Sequence, residues 1–298
     1  MDTQVAIIGS GPAGLAAALT LSRSMIGSVV FDEGKPFRNA SSPFVAALPG
    51  MDKTTPAELR STVRKEILSY PFARFEDAGV SGIRRIDNGF ELSLENVGNL
   101  TAETLLLATG MVDLRPPLKG FEHYWGRSII NCPFCHGIEW RDRTWGIYAQ
   151  RPEVLAAAEI YRNWTPHLTY FIDREMELQS DRRALLVSMG IKLEEALPVE
   201  IHGANGNMTH VELPDGRAVR LDCLLVYPYQ KQVNLIADAQ VALGAGGSVE
   251  VDEGYRTSVP GIYAAGDLIY EGHQNTPTAL YMGNMAAATM VMDYCFRK

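Results

Sequence analysis

Cys132 and Cys135 stand three apart in Asn131-Cys-Pro-Phe-Cys-His-Gly137, with His136 directly after the second. Two thiols at that spacing can close a small ring, and such disulfides exchange readily with an attacking thiolate. A histidine beside them can take and return the proton that exchange requires. Other chemistries use the same letters. C-x-x-C-H is also the attachment pattern of a c-type haem, which needs an exported apoprotein. Zinc needs two further ligands, and Cys223, Cys295 and the scattered histidines supply no second paired motif. Two cysteines can also be buried and inert. Four cysteines in 298 residues are too few for a disulfide scaffold.

The pair needs a scaffold, and the N-terminus shows what kind. Gln4–Ile8 is an apolar run of strand character. Gly9-Ser10-Gly11-Pro12-Ala13-Gly14 follows, then an Ala/Leu-rich helical pattern to about Ser24 and a second buried strand, Ser28–Phe31, that ends at Asp32. Strand, glycine turn, helix, strand and acid make the opening βαβ unit of a dinucleotide-binding domain. Gly9, Gly11 and Gly14 let the backbone approach a pyrophosphate. The helix that opens with Pro12 offers free N–H groups from Ala13 onward, and Asp32 can accept hydrogen bonds from a ribose.

Farther on, Ala57–Leu68 reads as a helix and Phe90–Leu94 and Thr104–Ala108 as strands. The last of these runs into Thr109-Gly110, and Pro116-Pro117 marks a crossover. A second βαβ unit follows: strand Thr144–Ala149, helix Glu153–Asn163 and strand Leu168–Asp173, with Thr209–Leu213 and Leu221–Tyr227 expected to close it. Gly261–Asp267 is a buried strand ending in a Gly-Asp turn, and Thr278–Tyr294 is a helix with small residues on one side. The expected fold class is α/β with two Rossmann-like domains. The first is discontinuous, 1–117 and 231–298; the second, 118–230, carries the cysteine pair. The two units suggest an old duplication.

Composition narrows the field. Apolar residues make up 46% and charged residues 21%, which excludes a disordered chain, a coiled coil and a collagen-like fibre. A net charge of −8 gives no electrostatic reason to expect nucleic acid or an anionic membrane. Met1–Leu21 lacks a positive leader and is broken by glycines, so it reads as folded structure and not as a signal peptide. No run of ~18 apolar residues offers a membrane span. The expectation is a cytoplasmic chain, in which the Asn-x-Ser/Thr triplets at Asn39, Asn99, Asn163 and Asn207 carry no glycan.

Together the glycine turn with Asp32, the Ala108-Thr109-Gly110 end, the Thr257–Asp267 segment and the C-x-x-C resemble the low-molecular-weight thioredoxin reductase family of flavoproteins over essentially the whole chain. The resemblance implies FAD in the discontinuous domain and a homodimer. It places Thr109, Gly110, Gly266 and Asp267 at the cofactor and Gln274 against the flavin. Asn131–Gly137 and Asp32-Glu33-Gly-Lys-Pro-Phe-Arg38-Asn39 look like the branch of gliotoxin- and holomycin-type dithiol oxidases, which close a disulfide in a small molecule of secondary metabolism. On that resemblance Glu33, Arg38 and Asn39 join the cofactor site, Cys132 faces the substrate and Cys135 the flavin.

One stretch departs from the reductase pattern. Ala149-Gln-Arg-Pro-Glu-Val154 has no glycine, and Glu153 puts negative charge where a phosphate would sit. After the next strand, Phe171-Ile-Asp-Arg-Glu-Met-Glu177 sets one arginine among three acids, a poor clamp for a 2′-phosphate. The second domain is therefore expected to be a degenerate nucleotide scaffold, with Arg151 the one feature favouring a surviving NADPH or NADH site. Electrons would then enter from thiols. A substrate thiolate attacks the enzyme disulfide at Cys132, a second substrate thiol resolves the mixed disulfide, and Cys135 passes the electron pair to FAD and on to O2, giving H2O2. His136 handles protons, and His273 beside Gln274 is a second candidate. The competing readings are a disulfide reductase fed by NADPH or another donor such as ferredoxin, and a flavin-binding protein that sequesters a thiol metabolite. The intact C-x-x-C-H argues against the last. Ser41–Met51 and Ile269–Pro277 are the candidate substrate loops, where Pro43, Phe44 and Pro49 either line an apolar pocket or lie on the surface.

Overall fold

The first apolar run forms strand β1 (Thr3–Ile8), whose last four residues are buried. Such a run, apolar on both faces, suits the middle of a parallel sheet covered on two sides. The computed structural model describes residues 1–95, 98–270 and 272–296. They divide into two units, 1–38 with 48–112 and 230–298, and 39–47 with 113–229. Residues 39–47 thus interrupt the first unit in sequence and pack with the second.

In the first unit β1 is followed by α1 (Pro12–Arg23), β2 (Ser28–Phe31), α2 (Pro56–Leu68), β3 (Ala73–Glu76), β4 (Val80–Ile86), β5 (Gly89–Leu94) and β6 (Gly98–Leu107). The parallel order is β3-β2-β1-β6, and Ile262–Ala264 adds beyond β6. The discontinuous Rossmann domain is thereby closed by the chain's last quarter. The N-terminal half of β6 turns to an antiparallel neighbour, β5, which pairs with β4. One face of the sheet is covered by α1 and the C-terminal helix Thr276–Phe296 through Leu15, Leu21, Ala286, Ala287 and Met290. Small residues set how closely those helices approach: a Cβ on Gly283 would overlap the Ala13 carbonyl oxygen. The α2 helix starts at a capping box between Thr55 and Glu58.

The second unit is built on a parallel sheet in the order Lys192–Glu194, Leu168–Ile172, Trp145–Ala149, Cys223–Val226 and Ile129–Ile130. Of the two pieces expected to close its βαβ unit, only Cys223–Val226 joins this sheet. Asn207–Glu212 instead pairs antiparallel with Glu200–Ala204 and Ala218–Arg220. The burial pattern gives the reason. Cys223–Val226 is buried at every residue, whereas Asn207–Glu212 has exposed positions and suits a sheet with one wet face. The helix expected over Glu153–Asn163 is split into Pro152–Ala156 and Ala158–Tyr161. The Arg182 guanidinium donates to the Leu155 carbonyl, which a continuous helix would have offered to the Glu159 N–H. Among the described residues no helix is long and apolar enough to cross a membrane.

Candidate active site

The glycine turn is shaped for a close backbone approach. Gly9 has φ +111°, and a Cβ there would overlap the Ala108 carbonyl; one on Gly14 would overlap the Gly9 carbonyl. Gly11 differs, because nothing lies within 4 Å of where its Cβ would stand. Two glycines therefore serve packing and one keeps space open. Helix α1 begins there with Pro12 in its first turn, Gly11 as N-cap, no side-chain cap and no acid in the first turn. Its N–H groups and dipole face that space uncompensated. Across from it, beyond β6, the Thr109 hydroxyl is buried without a hydrogen-bond partner among the described residues, and Gly110 has φ +63° with open space where a Cβ would stand. An anionic, hydroxyl-rich cofactor completes such a cradle, and FAD fits it.

Asp32 closes β2 at the same place. Its Oδ2 accepts from Ser10 Oγ at 2.7 Å and from Arg60 of α2, and its Oδ1 accepts from the Gly34 N–H at 3.0 Å. Burial pushes this carboxyl up, but the bonds from Ser10 and Gly34 and the Arg60 charge outweigh it, and the group titrates below the ordinary carboxylate value. Glu33 is engaged by Lys35 at 2.7 Å. A second cluster joins three expected residues. Arg38 Nη1 donates to Asp267 Oδ2 at 2.7 Å and to Gln274 Oε1 at 2.6 Å, and Gln274 Nε2 donates to the Tyr270 carbonyl at 2.9 Å. Gly266, φ +95°, stands directly before Asp267, and its Cβ would meet that of Ala13 at 3.0 Å. Asn39 belongs to the second unit, where its carbonyl accepts from the Ser42 N–H at 3.0 Å.

In the second unit Cys132 and Cys135 form a disulfide, Cα atoms 5.3 Å apart. Pro133 starts a single helical turn, Pro133–His136, and Cys132 caps it by accepting from the Cys135 N–H on Sγ at 3.2 Å. Cys132 is buried and Cys135 half-buried. Trp164 walls the segment: its ring lies where a Gly137 Cβ would go, and it meets Phe134 edge-on at 5.4 Å. His136 Nε2 lies 2.9 Å from Ser42 Oγ, the Phe44 ring is 5.3 Å away, and Nδ1 is buried without a partner among the described residues. Burial pushes the imidazole pKa down, against an upward pull from Glu139 and from the Phe44 backbone carbonyl. His273 lies in the first unit, exposed, with Nδ1 3.2 Å from Asn275 Nδ2. Of the loop residues, Phe44 packs on His136, while Pro43 and Pro49 are exposed. Glu271 of the other loop lies outside the described residues.

The turn after Trp145–Ala149 is tied by side chains to the segment at Tyr227–Tyr229. Arg151 Nη2 donates to the Tyr227 carbonyl at 3.0 Å, and its guanidinium stands 4.9 Å over the Tyr229 ring. The Tyr229 hydroxyl donates to the Gln150 carbonyl at 3.3 Å. Beneath it the Tyr161 and Tyr227 hydroxyls meet at 3.3 Å, and burial raises both phenols' pKa values. Arg174, the lone base after the next strand, donates to the Glu195 carbonyl at 3.0 Å.

Sequence reasoning missed Ser10, Arg60, Gln230 and Ser42. Ser10 lies inside the glycine motif and was readable there. Gln230 exchanges hydrogen bonds with Gln274 at 2.8 and 3.1 Å. Arg60 and Gln230 reach the site from elements far off in the chain, and Ser42 reaches His136 across 94 positions, so no local pattern marks them.

A glycine-turn cradle on a discontinuous nucleotide-binding unit, with a redox disulfide on a second unit, defines an FAD-dependent disulfide oxidoreductase of thioredoxin reductase type. The chain belongs to the pyridine nucleotide-disulphide oxidoreductase family, which it matches over residues 3–142 and 168–283. The Arg151 turn falls in the stretch between. Among its relatives are the thioredoxin reductase tcpT of Claviceps purpurea, 32% identical over 94% of this chain and 90% of that one, and the thioredoxin reductase sirT of Leptosphaeria maculans, 29% identical over 88% and 85%. An oxidoreductase of Agrobacterium tumefaciens has the same fold over the full length of both chains, with a TM-score of 0.92 at 29% identity.

Proposed function

We propose that this protein is an FAD-dependent oxidase that closes a disulfide in a small dithiol metabolite in the cytoplasm, with O2 as the final acceptor and H2O2 as the by-product. The observation that carries this reading is the Arg151 turn. Arg151 of the turn in the second βαβ unit is engaged by the Tyr227 carbonyl and the Tyr229 ring, and Glu153 stands in the first turn of the helix that follows. Negative charge there repels a phosphate. With that entry closed, the electrons come from the substrate's thiols.

The chain's own residues then act as follows. A substrate thiolate attacks Cys132, breaking the Cys132–Cys135 bond and leaving Cys135 as a thiolate. The second substrate thiol gives its proton to His136 and displaces Cys132, so the substrate leaves as a disulfide and the enzyme holds the electron pair as a dithiol. The Cys135 N–H, aimed at Cys132 Sγ, stabilises negative charge on that sulfur. FAD, when bound, supplies a two-electron acceptor for the dithiol that O2 can reoxidise. Arg38, Asp267 and Gln274 form its positioning cluster, and His273 is a second proton-handling group on the same unit.

The test is spectral. Under anaerobic conditions a small dithiol bleaches the flavin band and NADPH does not; air restores the band and H2O2 appears. Rapid bleaching by NADPH overturns the reading. It would support the NADPH-fed form of the second reading, a disulfide reductase, which the names of tcpT and sirT favour.

A further inference from the structure

We infer that Ser42 is a positioning residue that holds neutral His136 in one tautomer, with the proton on Nε2 and the lone pair on Nδ1. A serine hydroxyl has one proton to give. Ser42 Oγ lies 2.8 Å from the Phe44 carbonyl oxygen and 2.9 Å from His136 Nε2. The carbonyl can only accept, and two oxygens that close repel unless a proton lies between them. The hydroxyl proton is therefore committed to Phe44, and Ser42 Oγ faces His136 with a lone pair. Only a protonated Nε2 satisfies it. A neutral imidazole carries a single N–H, so Nδ1 is bare. That nitrogen is buried and has no hydrogen-bond partner among the described residues, so none of them consumes its lone pair. Burial also keeps the ring neutral, which makes the choice of tautomer matter.

The loop that carries Ser42 is held to the same unit as the cysteines. The Ser42 N–H donates to the Asn39 carbonyl at 3.0 Å, Val45 is buried, and the Ser41 backbone packs where a Cβ on Gly126 would stand. The hydroxyl is thus placed by backbone, not by a flexible side chain. On the reading of His136 as proton acceptor for the thiol step, Ser42 decides which atom accepts: Nδ1, one residue along from Cys135.

The experiment is a long-range proton–nitrogen NMR spectrum of the oxidised holoprotein labelled with [15N]histidine, with His136 assigned by its loss in His136→Gln. The expected wild-type pattern is a pyridine-type Nδ1 and a pyrrole-type Nε2. Ser42→Thr keeps that pattern, and in Ser42→Ala both nitrogens move toward the averaged position. A protonated Nδ1 in the wild type, or an unchanged spectrum in Ser42→Ala, overturns the assignment. Dithiol turnover of Ser42→Ala tests the reading beneath it. A fall of about three- to tenfold, restored in Ser42→Thr, is the worth of one hydrogen bond. Unchanged turnover beside the expected spectrum would leave the tautomer standing and sink His136 as the base.

Discussion

Arg60 and Asp32 meet at the glycine turn: the guanidinium donates to Asp32 Oδ2 and, through the same nitrogen, to Ser10 Oγ at 2.5 Å. Arg60 also lies 4.5 Å over the Phe37 ring, so helix α2 pins the tip of β2 from the side. On the reading that Asp32 accepts from a ribose of FAD, Asp32→Asn removes the charged acceptor and should weaken FAD binding about ten- to a hundredfold. Arg60→Ala leaves the acceptor but loosens it, for an expected two- to fivefold loss, roughly that of a partly exposed ion pair. Quenching of FAD fluorescence on titration with apoprotein measures both. Wild-type affinity in Asp32→Asn would remove Asp32 from the cofactor site.

On the proposed scheme Cys135→Ser leaves the attacked sulfur, Cys132, and deletes its disulfide partner. Turnover should fall more than about a hundredfold. Incubation with an activated disulfide of the substrate should leave a covalent adduct that thiols release and that peptide mass spectrometry maps to Cys132. Undiminished multiple turnover contradicts the scheme.

The pH profile follows from the burial of His136. Its folded pKa lies below the ordinary 6.5, so the neutral base persists below pH 6.5 and is lost only as pH falls through the lowered value. The acid limb of kcat/KM should therefore lie below 6.5. Stability carries the same sign. Above 6.5 the contribution is complete; below it the unfolded chain takes up a proton that the folded chain refuses, and stability declines. Urea unfolding at pH 7.5 and 5.5 should show a larger loss for the wild type than for His136→Gln, which should also lower turnover about a hundredfold or more.

Arg151→Ala removes a hydrogen bond to Tyr227 and the stack on Tyr229. The second unit should lose about 1–2 kcal/mol in denaturant unfolding. Glu153 remains, so NADPH should still leave the flavin oxidised. Bleaching by NADPH in this variant would show that Arg151 alone closes the nucleotide site.

The C-terminal helix exposes Tyr281, Met285 and Met292, at 60%, 38% and 50% of their full surface. Spacings of four and seven keep them on one helix face. Such an apolar stripe suits a second copy of the chain, and the expected assembly is a homodimer. Tyr281→Glu should shift the light-scattering mass from dimer toward monomer; a wild-type monomer would contradict the expectation.

The local patterns proved the most legible. Val5–Ile8 and Ser28–Phe31 pair in register as buried parallel strands, and the glycines between them have the crowded or open surroundings their roles require. Period and turn chemistry encode these features within a few residues, so one segment suffices to read them. The split at Ala157 was not legible, because it depends on Arg182 reaching back across 27 positions to one carbonyl. The strand expected over Thr209–Leu213 forms over Asn207–Glu212 but in a different sheet, since apolar content marks a strand without naming its partner.

The sequence by itself determined the chemistry on offer: a nucleotide cradle, a disulfide-forming pair with a histidine beside it, and a second nucleotide turn without glycine. These are properties of residue type and short spacing. Tertiary structure decided how that chemistry is tuned. Arg60 on Asp32, Gln230 on Gln274, Ser42 on His136 and Tyr229 on Arg151 are long-range contacts made by single polar side chains. Each depends on distances of a few ångströms that only the packed chain defines, because a hydrogen bond is lost within about an ångström of misplacement while a hydrophobic period tolerates far more.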